Sequence, residues 1–388
     1  MARRRRPRIA VAEARGRPAG AGPGAAGIPL VRVQAFVRTL HPHLAGRSFA
    51  WQDDRPFELL EHSYAYLQSD AFLASPAAAV FRTGASVRRR LLDADAPRDF
   101  TLLDELAADG INDYFAAPLT FVSGQAHAIT FATKHPQGFS EPQVVALSSI
   151  LAPLSRIAEI FALTRTAENL LNTYVGRNAG ERIMAGNIHR GDTDTIRAVI
   201  WLSDLRGFTA LAGTTPPGAL IRVLNDLFEC QVHAIDRFGG EVLKFMGDGL
   251  LAIFPLEGGS KSPPELCDAA LDAAFAAYVA LETLNRSRSA RSVDPIQFGL
   301  ALHVGDVAYG NIGGAGRLDF TCIGPAVNLA SRLEGLTGKL GRNVVVSHDF
   351  ARLTTRAVEP IDTFELKGVA EPEEVFAPVA ARSSTSSA

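Results

Sequence analysis

The chain has 388 residues, 47% apolar and 21% charged, which excludes a wholly disordered, collagenous or fibrous protein. Its 39 basic and 41 acidic side chains leave a net charge of −2, so no global field argues for nucleic acid or a membrane surface as the main partner. The three cysteines, Cys230, Cys267 and Cys322, are widely spaced and predict reduced thiols in a cytoplasmic protein, not a disulfide framework or a zinc site.

At about 100–200 residues per domain, two domains are expected. Residues 1–28 are rich in Arg, Ala, Gly and Pro and predict a disordered basic tail. The short apolar run Ile9–Ala12 after the arginines is too brief for a signal-peptide core. No run reaches the roughly 18–20 uncharged apolar residues of a spanning helix, so no transmembrane segment is expected. Residues 29–160 read as a first domain. Phe57, Leu60, Tyr64 and Leu67 recur at helical spacing and predict a helix over Phe57–Leu67. A second helix is expected over Asp99–Ala108, ended by Gly110. Tyr114–Phe121 and Gln125–Thr133 are β-rich runs around Ser123-Gly124, a predicted hairpin. Ser140-Glu141-Pro142 is a cap signal for a helix bearing Val144, Leu147, Ile150, Leu151 and Leu154 on one face. This end of the domain, with the phrase His135–Ser140, resembles a GAF-like small-molecule sensor. An unknown small molecule or signal is the partner that resemblance implies.

Residues 161–194 are expected as a helical linker, its stripe including Leu163, Ala167, Leu170, Leu171, Tyr174 and Val175. A parallel pair of such helices, or a helix packed on its own domain, both satisfy the pattern. Beyond it, Ala198–Leu202 reads as a buried strand running into Ser203-Asp204-Leu205-Arg206-Gly207-Phe208-Thr209. A carboxylate at a strand end followed by a glycine turn is a place to hold a metal and phosphates together; a helix cap has the same pattern. Pro217–Phe238 predicts a long helix. Glu241–Met246 and Leu250–Phe254 predict strands around Gly247-Asp248-Gly249, where the aspartate is either ordinary turn chemistry or a second metal ligand. Two carboxylates at neighbouring strand ends suit hard divalent cations. Ile296–Val304 reads as a strand with a turn at Gly305-Asp306, and Phe320–Ile323 as another. Pro325 opens a helix on which Asn328 and Arg332 lie four apart. They can grip phosphoryl oxygens, or form the solvated face of a helix that buries Val327, Ala330, Leu333 and Leu336.

Ser203–Thr209, Glu241–Gly249, Phe320–Glu334 and Phe364–Gly368 occur in the order found in the class III nucleotidyl cyclase catalytic domain, and residues 195–380 resemble that family. The resemblance implies an α+β chain: a ferredoxin-like βαββαβ catalytic domain, preceded by the GAF-like sensor and the linker, with residues 381–388 a disordered tail. It implies Asp204, Asp248 and the carbonyl of Leu205 as ligands of two Mg²⁺ or Mn²⁺ ions per site. Lys244 and Thr321 would read the purine, Lys367 and the backbone N–H groups of Phe208 and Thr209 would hold phosphates, and Asn328 and Arg332 would act on ribose and transition state. It further implies a homodimer with composite sites, each built from both subunits. A lysine ammonium donates to adenine N1, whereas guanine N1 carries a hydrogen and needs an acceptor. The family's guanylate cyclases carry Glu and Cys where Lys244 and Thr321 stand. ATP is therefore the expected substrate; a guanylate cyclase, or a non-catalytic nucleotide sensor on the same fold, is the alternative.

Overall fold

The computed structural model describes residues 27–379 apart from 94, 258, 259 and 315. The predicted tails, 1–28 with the exception of residues 27 and 28, and 381–388, therefore lie outside the described residues. The chain divides into two compact units, one ending at Leu170 and one beginning at Leu171.

The first unit runs β1 (Arg32–Arg38), β2 (Leu44–Gln52), β3 (Arg55–Ser63), α1 (Tyr64–Leu67), α2 (Asp70–Leu73), α3 (Pro76–Thr83), β4 (Val87–Arg90), α4 (Thr101–Ala108), β5 (Asp113–Thr120), β6 (Ala126–Thr133) and α5 (Glu141–Ser149), and then enters α6 (Leu151–Val175). Its strands form one sheet in the order β3-β2-β1-β6-β5-β4. The predicted hairpin forms as β5–β6, and Ser140 with Gln143 makes a capping box on α5. Pro153 has no N–H to donate to the carbonyl four residues back, which accounts for the interruption between α5 and α6.

The helix expected over Phe57–Leu67 is corrected: Arg55–Ser63 is strand β3 and only Tyr64–Leu67 is helical. The Asp53-Asp54 turn folds the chain back along β2, where Arg47 pairs with Glu61 at 2.8 Å. Phe57, Leu59 and Leu60 stay exposed, so their helical spacing carried no burial information. The stretch Glu141–Val175 is by length and composition long and apolar enough to cross a membrane, an 18-residue window within it having a mean hydropathy of 1.6, a candidate the sequence reading did not find. Within it, Glu159 accepts from the backbone N–H of Val122 at 2.9 Å and pairs with Arg156 at 2.7 Å.

The second unit takes up the end of α6, then α7 (Arg177–Met184), β7 (Thr193–Leu205), α8 (Phe208–Thr214), α9 (Pro217–Phe238), β8 (Glu241–Met246), β9 (Gly249–Pro255), α10 (Pro263–Ser289), β10 (Phe298–Gly314), β11 (Arg317–Ile323), α11 (Pro325–Glu334), α12 (Thr337–Leu340), β12 (Val344–Ser347), α13 (His348–Ala351), β13 (Val358–Phe364) and β14 (Glu373–Pro378). Ser262 and Glu265 form a capping box that starts α10. The sheet order is β13-β14-β12-β10-β7-β9-β8, with β11 paired to β10. Its centre, β10-β7-β9-β8, is antiparallel throughout. In chain order β7-α9-β8-β9-α10-β10 is a βαββαβ unit.

Strand β7 is buried on both faces, which explains its unbroken apolar run. Val199, Trp201 and Leu205 pack with α9 and α10, while Ala198, Ile200 and Leu202 pack with Ala326 and Ala330 of α11. The turn expected at Gly305-Asp306 is also corrected, because β10 continues through it to Gly314. A Cβ on Gly305 would lie 2.5 Å from the Ala326 side chain. The glycine serves close packing of α11 on the strand.

Candidate active site

Asp204 occupies the penultimate position of β7, across the ladder from Gly299. The β8–β9 turn, with Asp248 between Gly247 and Gly249, passes over this strand end: a Cβ on Gly249 would lie 3.0 Å from the Ser203 carbonyl and 3.3 Å from an Asp204 carboxylate oxygen. The two aspartates, 44 positions apart along the chain, thus share one place. Burial, then the Asp248 carboxylate and a hydrogen bond with it, push the Asp204 carboxyl up to about 7. Glu334 at the end of α11 adds a third, weaker acidic influence; burial raises its own pKa, opposed by Thr337 and Arg206. Among the described residues no cluster of three His, Cys, Asp or Glu has metal-holding geometry. The donor set is two carboxylates beside the buried end of β7 at Leu205. Those hard oxygen donors, repelling one another, fit a divalent cation that keeps positions open for phosphate oxygens.

Lys244 follows an irregularity in the β8–β9 ladder between Val242 and Lys244, the kind of bulge that re-aims a side chain. Its Nζ lies 3.4 Å from an Asp319 carboxylate oxygen on β11. Two residues on, Thr321 is 2% exposed, and its buried hydroxyl has no hydrogen-bond partner among the described residues. Phe245, Met246 and Ile323, neighbours of these readers in sequence, are exposed large apolar side chains.

Pro325 is the first residue of α11. Ala326, Ala330 and Leu333 are buried, which leaves Asn328 and Arg332 on the exposed side. Phe208 and Thr209 open the short helix α8 after Gly207, and Lys367 is exposed in the loop between β13 and β14. Among the described residues, no side-chain hydrogen bond or ion pair joins Asn328, Arg332 or Lys367 to either pair. The structure therefore brings together Asp204 with Asp248, and Lys244 with β11, and leaves the other predicted residues apart. Sequence reasoning missed Asp319 and Glu334. Asp319 stands two positions before Thr321, and a strand's two-residue period was the available signal; Glu334 had none, because a helix-end glutamate is ordinary.

Residues 193–377 match the family described as adenylate and guanylate cyclase catalytic domain. An adenylate cyclase of Anabaena cylindrica is 36% identical over 170 residues, covering 43% of this chain and 32% of that protein; the chain spans about a third of that relative. A structure of the adenylyl cyclase CyaB from P. aeruginosa has a TM-score of 0.45 at 25% identity, covering 50% of this chain and 98% of that one. A bacterial light-regulated adenylyl cyclase matches in fold, with a TM-score of 0.50 at 20% identity over 66% of this chain and 83% of that one. The second unit thus carries a domain of the class III adenylate/guanylate cyclase family.

Proposed function

We propose that the protein is an adenylate cyclase, converting ATP to 3′,5′-cyclic AMP and pyrophosphate at sites shared between two copies of the chain. The observation that carries this reading is the convergence of Asp204 and Asp248, which pushes Asp204 up to about 7. A divalent cation held by these carboxylates and the Leu205 carbonyl, one of two such ions, would lower the pKa of the ribose 3′-hydroxyl and neutralise phosphate charge. The 3′-oxygen attacks the α-phosphorus, its proton passes to solvent, and the bond to the β-phosphate oxygen breaks as pyrophosphate leaves. Arg332 faces the charge developing at the α-phosphate and Asn328 orients the ribose. Lys367 and the N–H groups of Phe208 and Thr209 hold the outgoing phosphates.

Base choice rests on Lys244. Its ammonium donates to adenine N1, and Thr321, whose buried hydroxyl has no hydrogen-bond partner among the described residues, is the second reader, for the exocyclic amine. The exposed Phe245, Met246 and Ile323 beside them support a second copy covering this face. The exposed apolar side chains of α6, among them Ile157, Phe161 and Leu163, support a parallel helix pair leading to it. In this reading residues 29–160 are a GAF-like sensory domain, 161–194 the linker and 195–380 the catalytic domain, in a cytoplasmic protein.

The test is turnover of the purified full chain with ATP or GTP in the presence of Mn²⁺. Cyclic AMP as the main product is expected. Cyclic GMP in excess would overturn the assignment of Lys244 and Thr321, and no cyclic product from a proven dimer would leave a nucleotide-binding sensor.

A further inference from the structure

The most deeply held carboxylate of the second unit is outside the proposed chemistry. Glu241, the first residue of β8, is 6% exposed. The Tyr309 hydroxyl of β10 lies 2.9 and 3.0 Å from its two oxygens. Asn178 Nδ2 of α7 donates to it at 2.8 Å, and the backbone N–H of Ala179 also contributes. At Gly176, in the left-handed region with φ +87°, a Cβ would meet the Val242 carbonyl at 3.2 Å, so the chain enters α7 tight against β8. From α7, Arg182 stacks over Tyr309 at 5.2 Å and Phe320 at 6.0 Å, and pairs with Asp194 at 2.5 Å.

This anchor reaches the base-recognising residues through their immediate neighbours. Leu243 precedes Lys244, and Phe320 and Cys322 flank Thr321. These three share one buried apolar cluster with Tyr309 and with Ala179 of α7. Tyr309 is also paired across the ladder with Cys322 and stands edge-on to Phe320 at 4.9 Å. The spacing between Lys244 and Thr321 is thus set by a packed unit in which α7 is a wall and Glu241 the tie.

We infer that Glu241 is a positioning residue for base recognition, and that helix α7, which precedes the catalytic domain's first strand, is part of the framework that sets preference between adenine and guanine nucleotides. This rests on Lys244 and Thr321 being the base readers. A buried hydrogen-bonded group of this kind holds its surroundings to a single geometry, and leaving its partners unsatisfied lets the strands shift.

The experiment compares the full chain with Glu241→Gln and Asn178→Ala. It measures equilibrium binding of fluorescent ATP and GTP analogues, the ATP-to-GTP ratio of kcat/KM, and Mn²⁺ binding. Glu241→Gln is expected to cut the ATP preference about tenfold, through KM and not kcat, with Mn²⁺ binding unchanged. Asn178→Ala, an exposed helix position that folds if Glu241→Gln does not, is expected to cut it severalfold. Unchanged preference in both variants, with melting temperature alone lowered, would overturn the inference. Absent turnover in the parent chain, with base preference in binding still falling in the variants, would refute the cyclase reading and uphold this one. A parent chain that binds both analogues equally would refute both.

Discussion

Two carboxylates of the catalytic unit sit in opposite surroundings. Burial raises the pKa of Glu241 as it does that of Asp204, but around Glu241 donors from Asn178, Tyr309 and Ala179 oppose the rise. Asp204 faces a second carboxylate at Asp248, with Glu334 adding to the repulsion. A buried charge satisfied by donors builds architecture, because removing it leaves those donors stranded. A partly buried charge set against like charges returns nothing to the fold. In the proposed function a bound cation would offset that cost, so the contrast distinguishes a carboxylate that serves the fold from one that the proposed chemistry uses.

The strongest test of that contrast is Asp204→Ala. Turnover should fall at least about a thousandfold, while the melting temperature stays level or rises. Glu241→Ala should instead destabilise by about 1–3 kcal/mol, and a melting loss in Asp204→Ala as large as in Glu241→Ala would erase the distinction. Next comes Lys244→Glu, expected to lower ATP turnover about a hundredfold and to shift preference toward GTP, since a carboxylate accepts from guanine N1. Retained ATP preference in a kinetic comparison would separate Lys244 from base choice.

Mixing inactive Asp204→Ala with inactive Arg332→Ala measures whether the acidic site is completed by a partner. Random pairing makes half the dimers mixed, each with one intact site of two, so about a quarter of the parent activity should return. No return despite proven subunit exchange would place all the machinery in one chain.

The smallest effect concerns a buried imidazole away from the acidic site. His303 is 4% exposed and bonded to Ser347 Oγ at 2.8 Å, and burial lowers its pKa from 6.5 to about 4. The folded state thus binds this proton less readily than the unfolded chain. Its contribution is complete above pH 6.5 and drains as pH falls toward 4, by about 2 kcal/mol at pH 5. Urea titrations at pH 7 and 5 should show that portion of the slope vanish in His303→Gln; an unaltered slope would contradict the assignment.

Local chemistry made much of this legible beforehand. Pro217–Phe238 was readable as α9 because its apolar periodicity ends at Gly239, and Ser140 marked the start of α5 because Ser-Glu-Pro is a cap signal, to which the structure adds the Gln143 half of a capping box. The same logic failed at Phe57–Leu67, where spacing suggested a helix and pairing with β2 made a strand. It failed again at Gly305, which looked like a turn but is the contact point of α11. Glycine and apolar spacing have more than one use, and only the neighbour decides which applies.

From the sequence alone came the strands around Asp204 and Asp248, the helix Pro217–Phe238 and the identity of the chemical groups, since turns, caps and strand ends are encoded within a few residues of themselves; the full βαββαβ order was implied only by the resemblance, and α10 was not read from its residues. The structure supplied the register that sets Asp248 against Asp204, as the neighbouring strand ends led one to expect, and it alone decided that Lys244 meets Asp319 and that α7 is tied to β8 through Glu241. These pairings join residues 44, 75 and 63 positions apart, and such distances are closed only when sheet register and helix packing bring remote segments into one place.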